Sequence, residues 1–199
     1  MSASDGLQAG FADPVHDAQG VFRRVLDALS RPSRIFTLGA HAGASSMGSA
    51  MSQVLLTLTD DDTAVWWQRP DVAAAQWLRF HTGASVAQQP DSAAFAVCLR
   101  TDNVPGLELL ATGSADAPEH STTLLLEVPC LETGAALEWR GPGIEEVQVV
   151  RVAGLPDGFW TQWQANHATF PQGVDIVFTC GNTVLGLPRT TRVRRLEGL

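Results

Sequence analysis

Three short segments of the chain carry charged and hydroxyl side chains that a hydrophobic core does not need. The first segment, residues 30–34, places Arg31 and Arg34 just beyond the end of a predicted helix. These arginines could bind an anion or a carboxylate of a partner protein. They could equally complement the negative end of the helix dipole, and the sequence leaves both interpretations open.

The second segment, residues 118–122, places Glu119 and His120 directly before a predicted strand. A carboxylate beside an imidazole is a combination that general acid–base catalysis uses. A loop capped by its own polar side chains is the simpler interpretation, and we favour it.

The third segment joins two stretches, 170–175 and 187–192. Asp175 opens an otherwise apolar strand, where a charge is costly unless it is paired. Arg189 is its natural partner, and Arg189 with the hydroxyls of Thr190 and Thr191 could also bind a phosphate. An internal ion pair and a contact with a ligand or subunit explain the pattern equally well.

Three other motifs are weaker evidence for a functional site. The glycine-rich stretch 39–43 lacks the spacing and the lysine of a P-loop. The acidic turn 60–62 is typical of a solvated loop more than of a Mg²⁺ site. Cys180 follows an apolar strand, where a cysteine is more often a small core residue than a nucleophile.

Composition excludes several classes of function. All 13 basic residues are arginine, so the chain cannot supply the lysine of a Schiff base. The net charge of −8 gives no general attraction for nucleic acid or an anionic membrane. Three widely spaced cysteines and no evident leader predict a cytoplasmic protein without disulfides. No close pair of cysteines or histidines has the spacing of a zinc site, and we expect no metal or other cofactor. The apolar runs are too short to span a membrane.

Hydrophobic periodicity predicts the elements that position these residues. Helices are expected at 14–29, 51–58, 70–79, 104–110 and 156–167, and strands at 35–38, 63–67, 95–99, 122–128, 135–139, 147–152, 174–179 and 183–187. Helices and strands alternate early, whereas hairpins dominate later, which indicates a mixed sheet covered by helices on both faces. Residues 1–12 are expected to form a loose tail and residues 13–199 a single α/β domain.

Taken in order, these motifs resemble the H subunit of the bacterial carbon–phosphorus lyase system. Almost the whole chain shares the resemblance, which rests on residues 11–15, 18–19, 22–23, 30–32, 78–79, 82–84, 118–119, 141–144, 166, 170–175 and 187–191. One departure is Ser33, where the family pattern leads us to expect glycine, so the turn after Pro32 is slightly altered.

The resemblance implies a three-layer α/β/α sandwich with a mixed sheet, similar to pyridoxal-phosphate-dependent transferases but without the cofactor. It implies a homodimer that joins the G, I and J subunits in a core complex. There the chain would be a non-catalytic subunit needed to form ribose 1-phosphonate 5-triphosphate from ATP and an alkylphosphonate. The later radical cleavage belongs to another subunit, since this chain has no cysteine cluster to hold an iron–sulfur centre.

Two other hypotheses remain. The chain could be a stand-alone nucleotide- or phosphonate-binding enzyme that uses Glu119, His120 or Cys180 in a dimer cleft. It could also be a binding module without chemistry. If the subunit hypothesis holds, charge reversal at Arg31 or Arg189 should impair complex assembly or growth on phosphonate while the fold survives.

Overall fold

The computed structural model describes residues 8–39, 43–44 and 46–196. Its α-helices are α1 (Pro14–Ser30), α2 (Ser49–Leu58), α3 (Val72–Thr82) and α4 (Phe159–Ala168). The strands are β1 (Ile35–Thr37), β2 (Ala64–Trp67), β3 (Ser85–Val86), β4 (Phe95–Cys98), β5 (Thr123–Glu127), β6 (Ala136–Arg140), β7 (Gln148–Arg151), β8 (Asp175–Cys180), β9 (Thr183–Leu187) and β10 (Arg192–Arg195). No helix in these ranges has the length and apolar character needed to cross a bilayer.

A seven-stranded mixed sheet organises the fold, in the order β1-β9-β8-β5-β4-β2-β3. The strands from β3 to β8 in this order run parallel, whereas β9 is antiparallel to β8 and β1 is antiparallel to β9. The predicted mixed sheet is therefore confirmed. The β8–β9 connection is the tight turn expected at Gly181-Asn182.

Helices α1, α2 and α3 cover one face of this sheet. Their buried side chains pack on Val65, Val97, Leu125, Val177 and Val184 from successive strands. Helix α1 lies so close to β9 that a Cβ on Gly186 would be 2.5 Å from the carbonyl oxygen of Ala28. A glycine is needed there because the contact is with backbone atoms, which cannot move aside as a flexible side chain would.

The opposite face is covered by α4 together with a second, antiparallel sheet of order β10-β6-β7. Helices were expected on both faces, and here a single helix shares the layer with three strands. Leu137, Trp139, Val150 and Val193 of the small sheet are buried against the main sheet. The predicted hairpin across residues 141–143 is confirmed, since β6 pairs with β7.

Several predicted elements differ from the structure. The predicted helix 104–110 is wrong: a short 3-10 turn, Leu107–Leu109, is found there. Pro105 explains this, because a proline pushes the preceding residue, Val104, into an extended conformation. Strands β3 and β10 were not predicted.

The N-terminal residues that the structure describes contact α3, although we expected a loose tail at 1–12. The Gln8 carbonyl oxygen accepts a hydrogen bond from the indole N–H of Trp77 (2.9 Å). The same oxygen lies 3.0 Å from Nε2 of His81. Phe11 packs against the core beneath α1, α2 and α3. These contacts hold residues 8–11 against the helical face.

Ser33 occupies the turn between α1 and β1 with a φ of 84°, a left-handed conformation that favours glycine. We therefore expect Ser33→Gly to stabilise the fold by about 0.5–1 kcal/mol, because it removes the Cβ strain at some entropic cost. Urea unfolding curves of the two proteins check this. Ser33→Ala keeps the strain and is the control; it should be no more stable than wild type, and a gain equal to that of the glycine variant would contradict the explanation.

Candidate functional site

The three polar segments lie at one end of the molecule, where β8 begins. Arg189 follows β9, which is antiparallel to β8, and its side chain contacts both Asp175 and the carbonyl oxygen of Pro118. The hairpin turn 141–143 lies between the first polar segment, residues 30–34, and the residues around Arg189. A Cβ on Gly143 would clash with the carbonyl oxygen of Ser30, and one on Gly141 would be 3.0 Å from the carbonyl oxygen of Thr190.

Arg189 is the centre of a hydrogen-bonded clasp. Its Nε donates to both oxygens of Asp175 (3.2 Å each), and its Nη2 donates to Asp175 Oδ2 (2.6 Å) and to Ser121 Oγ. Its Nη1 donates to the carbonyl oxygens of Pro118 (3.0 Å) and Pro171 (3.3 Å). The side chains of Arg189 and Asp175 are only 13% and 24% exposed.

The clasp favours the internal ion pair over a phosphate contact. A guanidinium has five N–H donors, and each nitrogen of Arg189 already donates to protein atoms. The backbone N–H of Arg189 also donates to Asp175 Oδ1 at 2.6 Å. No donor is left for a ligand, so Arg189 joins the segments at 118–121, 171–175 and 189 to one another.

The two threonines beside Arg189 have different environments. Thr191 is fully buried, and its carbonyl oxygen accepts a hydrogen bond from the indole N–H of Trp163 at 3.0 Å. Thr190 is half-buried and lines a cleft beside the small sheet. Of the pair, only Thr190 is accessible to a ligand.

Glu119 and His120 lie on a short 3-10 turn, Pro118–His120, and both are exposed. The turn contacts the clasp at the start of β8, whereas Cys180 ends that strand five residues later. At 3.3 Å per residue this separates them by roughly 16 Å. Glu119 and His120 are therefore separated from Cys180 within one protomer, so an enzyme acting at a dimer cleft would use one of these two places.

Arg31 and Arg34 are both exposed at the end of α1. Arg31 forms an ion pair with Asp27 one turn earlier, and its guanidinium lies 5.6 Å from the ring centroid of Phe36. Arg34 has no ion pair within the described ranges. Arg31 is thus partly engaged within the chain, and Arg34 remains available to an external anion or carboxylate.

The opposite end of the sheet holds a crevice that the sequence did not reveal. After β2 the chain crosses to β3 on one side, whereas β4 leads to β5 on the other, so the connections diverge between β2 and β4. Doubly wound folds hold ligands at such a point. A cavity of about 360 Å³ lies there, lined by Arg69, Arg100 and Asp71 among others. Asp102 pairs with both arginines, and Asp71 adds a second carboxylate, so this crevice has little net charge.

The cysteines differ in acidity. Burial raises the pKa of the Cys98 thiol to about 11, so Cys98 stays a neutral core residue. Burial, and then the neighbouring Cys130 and Glu127, raise the pKa of Cys180, which disfavours the thiolate that a nucleophile needs. The Thr133 hydroxyl and the Glu132 N–H hold the pKa of Cys130 below its ordinary value.

Glu127 ends β5 and accepts hydrogen bonds from the N–H of Gly48, at the start of α2, at 3.1 and 3.3 Å. Burial raises the pKa of this carboxyl above 4.5 in spite of these bonds. The folded protein therefore holds the proton more tightly than the unfolded chain does. The contribution of Glu127 to stability is most favourable below pH 4.5 and declines as the pH rises through the folded pKa.

We expect Glu127→Gln to be more stable than wild type at about pH 7, because the amide removes the buried charge, and to lose most of that advantage at about pH 4. Urea unfolding at the two pH values measures the difference. Glu145→Gln, at an exposed loop position, controls for the change in net charge. An advantage for Glu127→Gln that grows as the pH falls would reverse the predicted sign and reject the explanation.

The chain is 44% identical, over 98% of its own length and 100% of the relative's, to "Alpha-D-ribose 1-methylphosphonate 5-triphosphate synthase subunit PhnH" of Rhizobium meliloti (strain 1021). It is 30% identical, over 88% of its length and 85% of the relative's, to "Putative C-P lyase subunit protein HtxG" of Stutzerimonas stutzeri. The pattern of the family described as "Bacterial phosphonate metabolism protein (PhnH)" matches residues 9–194. With its α/β fold and this match over nearly its full length, the chain belongs to the PhnH family of bacterial phosphonate metabolism proteins.

Proposed function

We propose that this chain is a non-catalytic subunit of a carbon–phosphorus lyase complex, needed to form ribose 1-phosphonate 5-triphosphate from ATP and an alkylphosphonate. One observation carries the proposal: the full-length 44% identity to a subunit of a ribose 1-methylphosphonate 5-triphosphate synthase. The more distant relative, named as a putative C-P lyase subunit, supports the same role.

The chemistry of the chain supports a role without catalysis. The side chains of Asp175 and Arg189 are engaged in hydrogen bonds within the chain, and burial raises the pKa of Cys180, which disfavours its thiolate. The absence of lysine from the sequence removes Schiff-base chemistry. Bond breaking would then fall to companion subunits, while this chain contributes surfaces and arginine side chains.

The proposal includes finer features. The chain would form a homodimer and join the G, I and J subunits in the cytoplasm, where ATP is present. Residues 13–199 would act as one domain, of the three-layer type related to pyridoxal-phosphate-dependent transferases. Light scattering on the purified protein measures the first feature: a mass of twice 21.2 kDa is expected, and a mass of 21.2 kDa would reject the homodimer.

Complementation tests the function. A Rhizobium meliloti strain that lacks its own PhnH subunit should recover growth on methylphosphonate as the sole phosphorus source when it expresses this chain. The isolated protein should release no adenine from ATP and methylphosphonate. Failure to complement despite soluble expression would reject the subunit role, and turnover by the isolated chain would establish the stand-alone enzyme instead.

Arg31 offers a test of the first polar segment. Because Arg31 is exposed at the end of α1, Arg31→Glu should leave the fold intact but impair complementation or co-purification with the G, I and J subunits. Arg23→Glu, at an exposed position on α1, is the matched charge reversal and should complement normally. Equal growth of both variants would remove Arg31 from the contact surface.

A further inference from the structure

Two arginines face each other across the small sheet. Arg192 on β10 pairs in register with Arg140 on β6, so the two residues are direct cross-strand neighbours. Cβ atoms of such neighbours lie about 4.5–5.5 Å apart, and like charges in this position destabilise a sheet. The arrangement costs stability unless an anion lies against it.

Among the residues that the structure describes, Glu138 is the one carboxylate that pairs with the arginines on this face. Glu138 accepts hydrogen bonds from Arg140 Nε (2.8 Å) and Arg194 Nη2 (2.7 Å), and the bonds from Arg194 and then Arg140 hold the pKa of Glu138 below its ordinary value. Arg192 has no ion pair in the part of the chain that the structure describes. Two of the three arginines on this face, Arg140 and Arg194, thus share one carboxylate while Arg192 lies opposite Arg140, in a protein whose net charge is −8.

The paired arginines border a cleft of about 500 Å³. The hairpin turn at Gly141-Pro142 forms one wall, and Thr190 and the end of α4, with His167 and Phe170, form the others. The Nδ1–H of His167 donates to the carbonyl oxygen of Arg189 (2.8 Å), which fixes the ring beside the clasp. Phe170 is 60% exposed, a large apolar surface at the edge of a cationic cleft.

We propose that this cleft binds a phosphate-type oxyanion, such as a polyphosphate, a phosphate ester or a phosphonate. Arginine forks match the oxygens of these anions and bind them with charge-assisted hydrogen bonds. The Thr190 hydroxyl adds a neutral donor, and Phe170 provides a platform for an organic group joined to the anion. A bound anion would also neutralise the repulsion between Arg140 and Arg192.

Calorimetric titration at low ionic strength tests the site, with tripolyphosphate, ATP, methylphosphonate and inorganic phosphate as separate probes. At least one probe should bind saturably, one per chain, and Arg192→Gln should weaken that binding about tenfold or more. The probe that binds tightest identifies the source of the anion. If ATP binds more tightly than tripolyphosphate, Phe170→Ala should remove the difference between the two affinities.

Arg195→Gln is the matched control, because it removes the same charge from β10 at a residue that lies outside the cleft. It should change the affinity by less than about twofold, since only long-range screened charge is lost. Without anion, Arg192→Gln should melt at or above the wild-type temperature because the like-charge pair is gone. Arg140→Gln repeats the test from the facing strand.

Several outcomes would overturn the inference. One is that no probe binds saturably. Another is that Arg192→Gln and Arg195→Gln weaken binding equally, and a third is that Arg192→Gln and Arg140→Gln both bind as tightly as wild type. Loss of complex assembly in Arg192→Gln without anion binding would assign the cleft to an acidic partner and also reject the oxyanion. The inference does not rest on the subunit role, since complementation can succeed while all four titrations fail.

Discussion

Replacing Arg189 with methionine is expected to lower the free energy of unfolding by about 3–5 kcal/mol, which would leave little soluble protein. The variant leaves the Asp175 carboxylate, 24% exposed, without its cation, and removes the donors to Pro118, Pro171 and Ser121. Removing one partner of a largely buried pair costs this much because the remaining charge has lost both water and counter-charge. Urea unfolding measures the loss.

This result would revise the expectation from sequence that charge reversal at Arg189 spares the fold. Arg189→Glu places a second carboxylate against Asp175 and should be worse than methionine. Arg192→Gln, an exposed arginine three residues later, is the control and should shift stability by less than about 0.5 kcal/mol. Arg189→Met within about 1 kcal/mol of wild type would mean that the clasp contributes little, and a ligand role for Arg189 would return.

Asn166 should contribute nearly as much as Arg189 to the stability of the fold. Its side chain acts as a strand partner for Val174: Nδ2 donates to the Val174 carbonyl oxygen (2.9 Å), and Oδ1 accepts from the Val174 N–H (2.8 Å). Both residues are buried. Asn166→Leu keeps the branched shape of the side chain but leaves two buried backbone groups unpaired, so we expect a loss of about 2–5 kcal/mol in urea unfolding.

Two further variants examine this explanation. Gln164→Leu, at an exposed amide on the same helix, should be nearly neutral. Asn166→Asp keeps the acceptor but loses the donor, and the new carboxyl group regains a donor when it is protonated. Its deficit should therefore shrink as the pH falls. A deficit that does not change with pH would show that packing, and not the paired hydrogen bonds, makes Asn166 necessary.

The sequence predicted those helices and strands whose signals, such as a capping residue, lie within the element itself or beside it. Asp13 caps α1 as expected, since its Oδ1 accepts from the N–H groups of Val15 and His16. The same periodicity could not separate buried from exposed positions, because Val25 is in the core whereas Phe22 and Leu26 remain about half exposed. Strand β10 is mostly arginine, and its strand conformation comes from pairing with β6, about fifty residues away in the sequence.

The sequence predicted the ion pair at the centre of the site but not the other groups around it. The cost of a lone charge at the start of an apolar strand indicated that Asp175 needs Arg189, and the pair is found. The carbonyl oxygens of Pro118 and Pro171 have no sequence signature, since every residue has one, so the saturation of Arg189 could not be foreseen. The pairing of Arg140 with Arg192 depends on strand register, which a single sequence does not reveal.

The position of β1 has a consequence for synthesis on the ribosome. Its partner in the main sheet is β9, so Ile35–Thr37 has no strand to join until residues 183–187 have been made. At about 5–20 residues per second, the roughly 150 residues between them take about 7–30 s to translate. During that time the apolar side of α1 lacks the β9 surface on which it will pack. The newborn polypeptide therefore offers chaperones an amphipathic helix for most of its elongation, and a message truncated before β9 would yield a product suited to proteolysis.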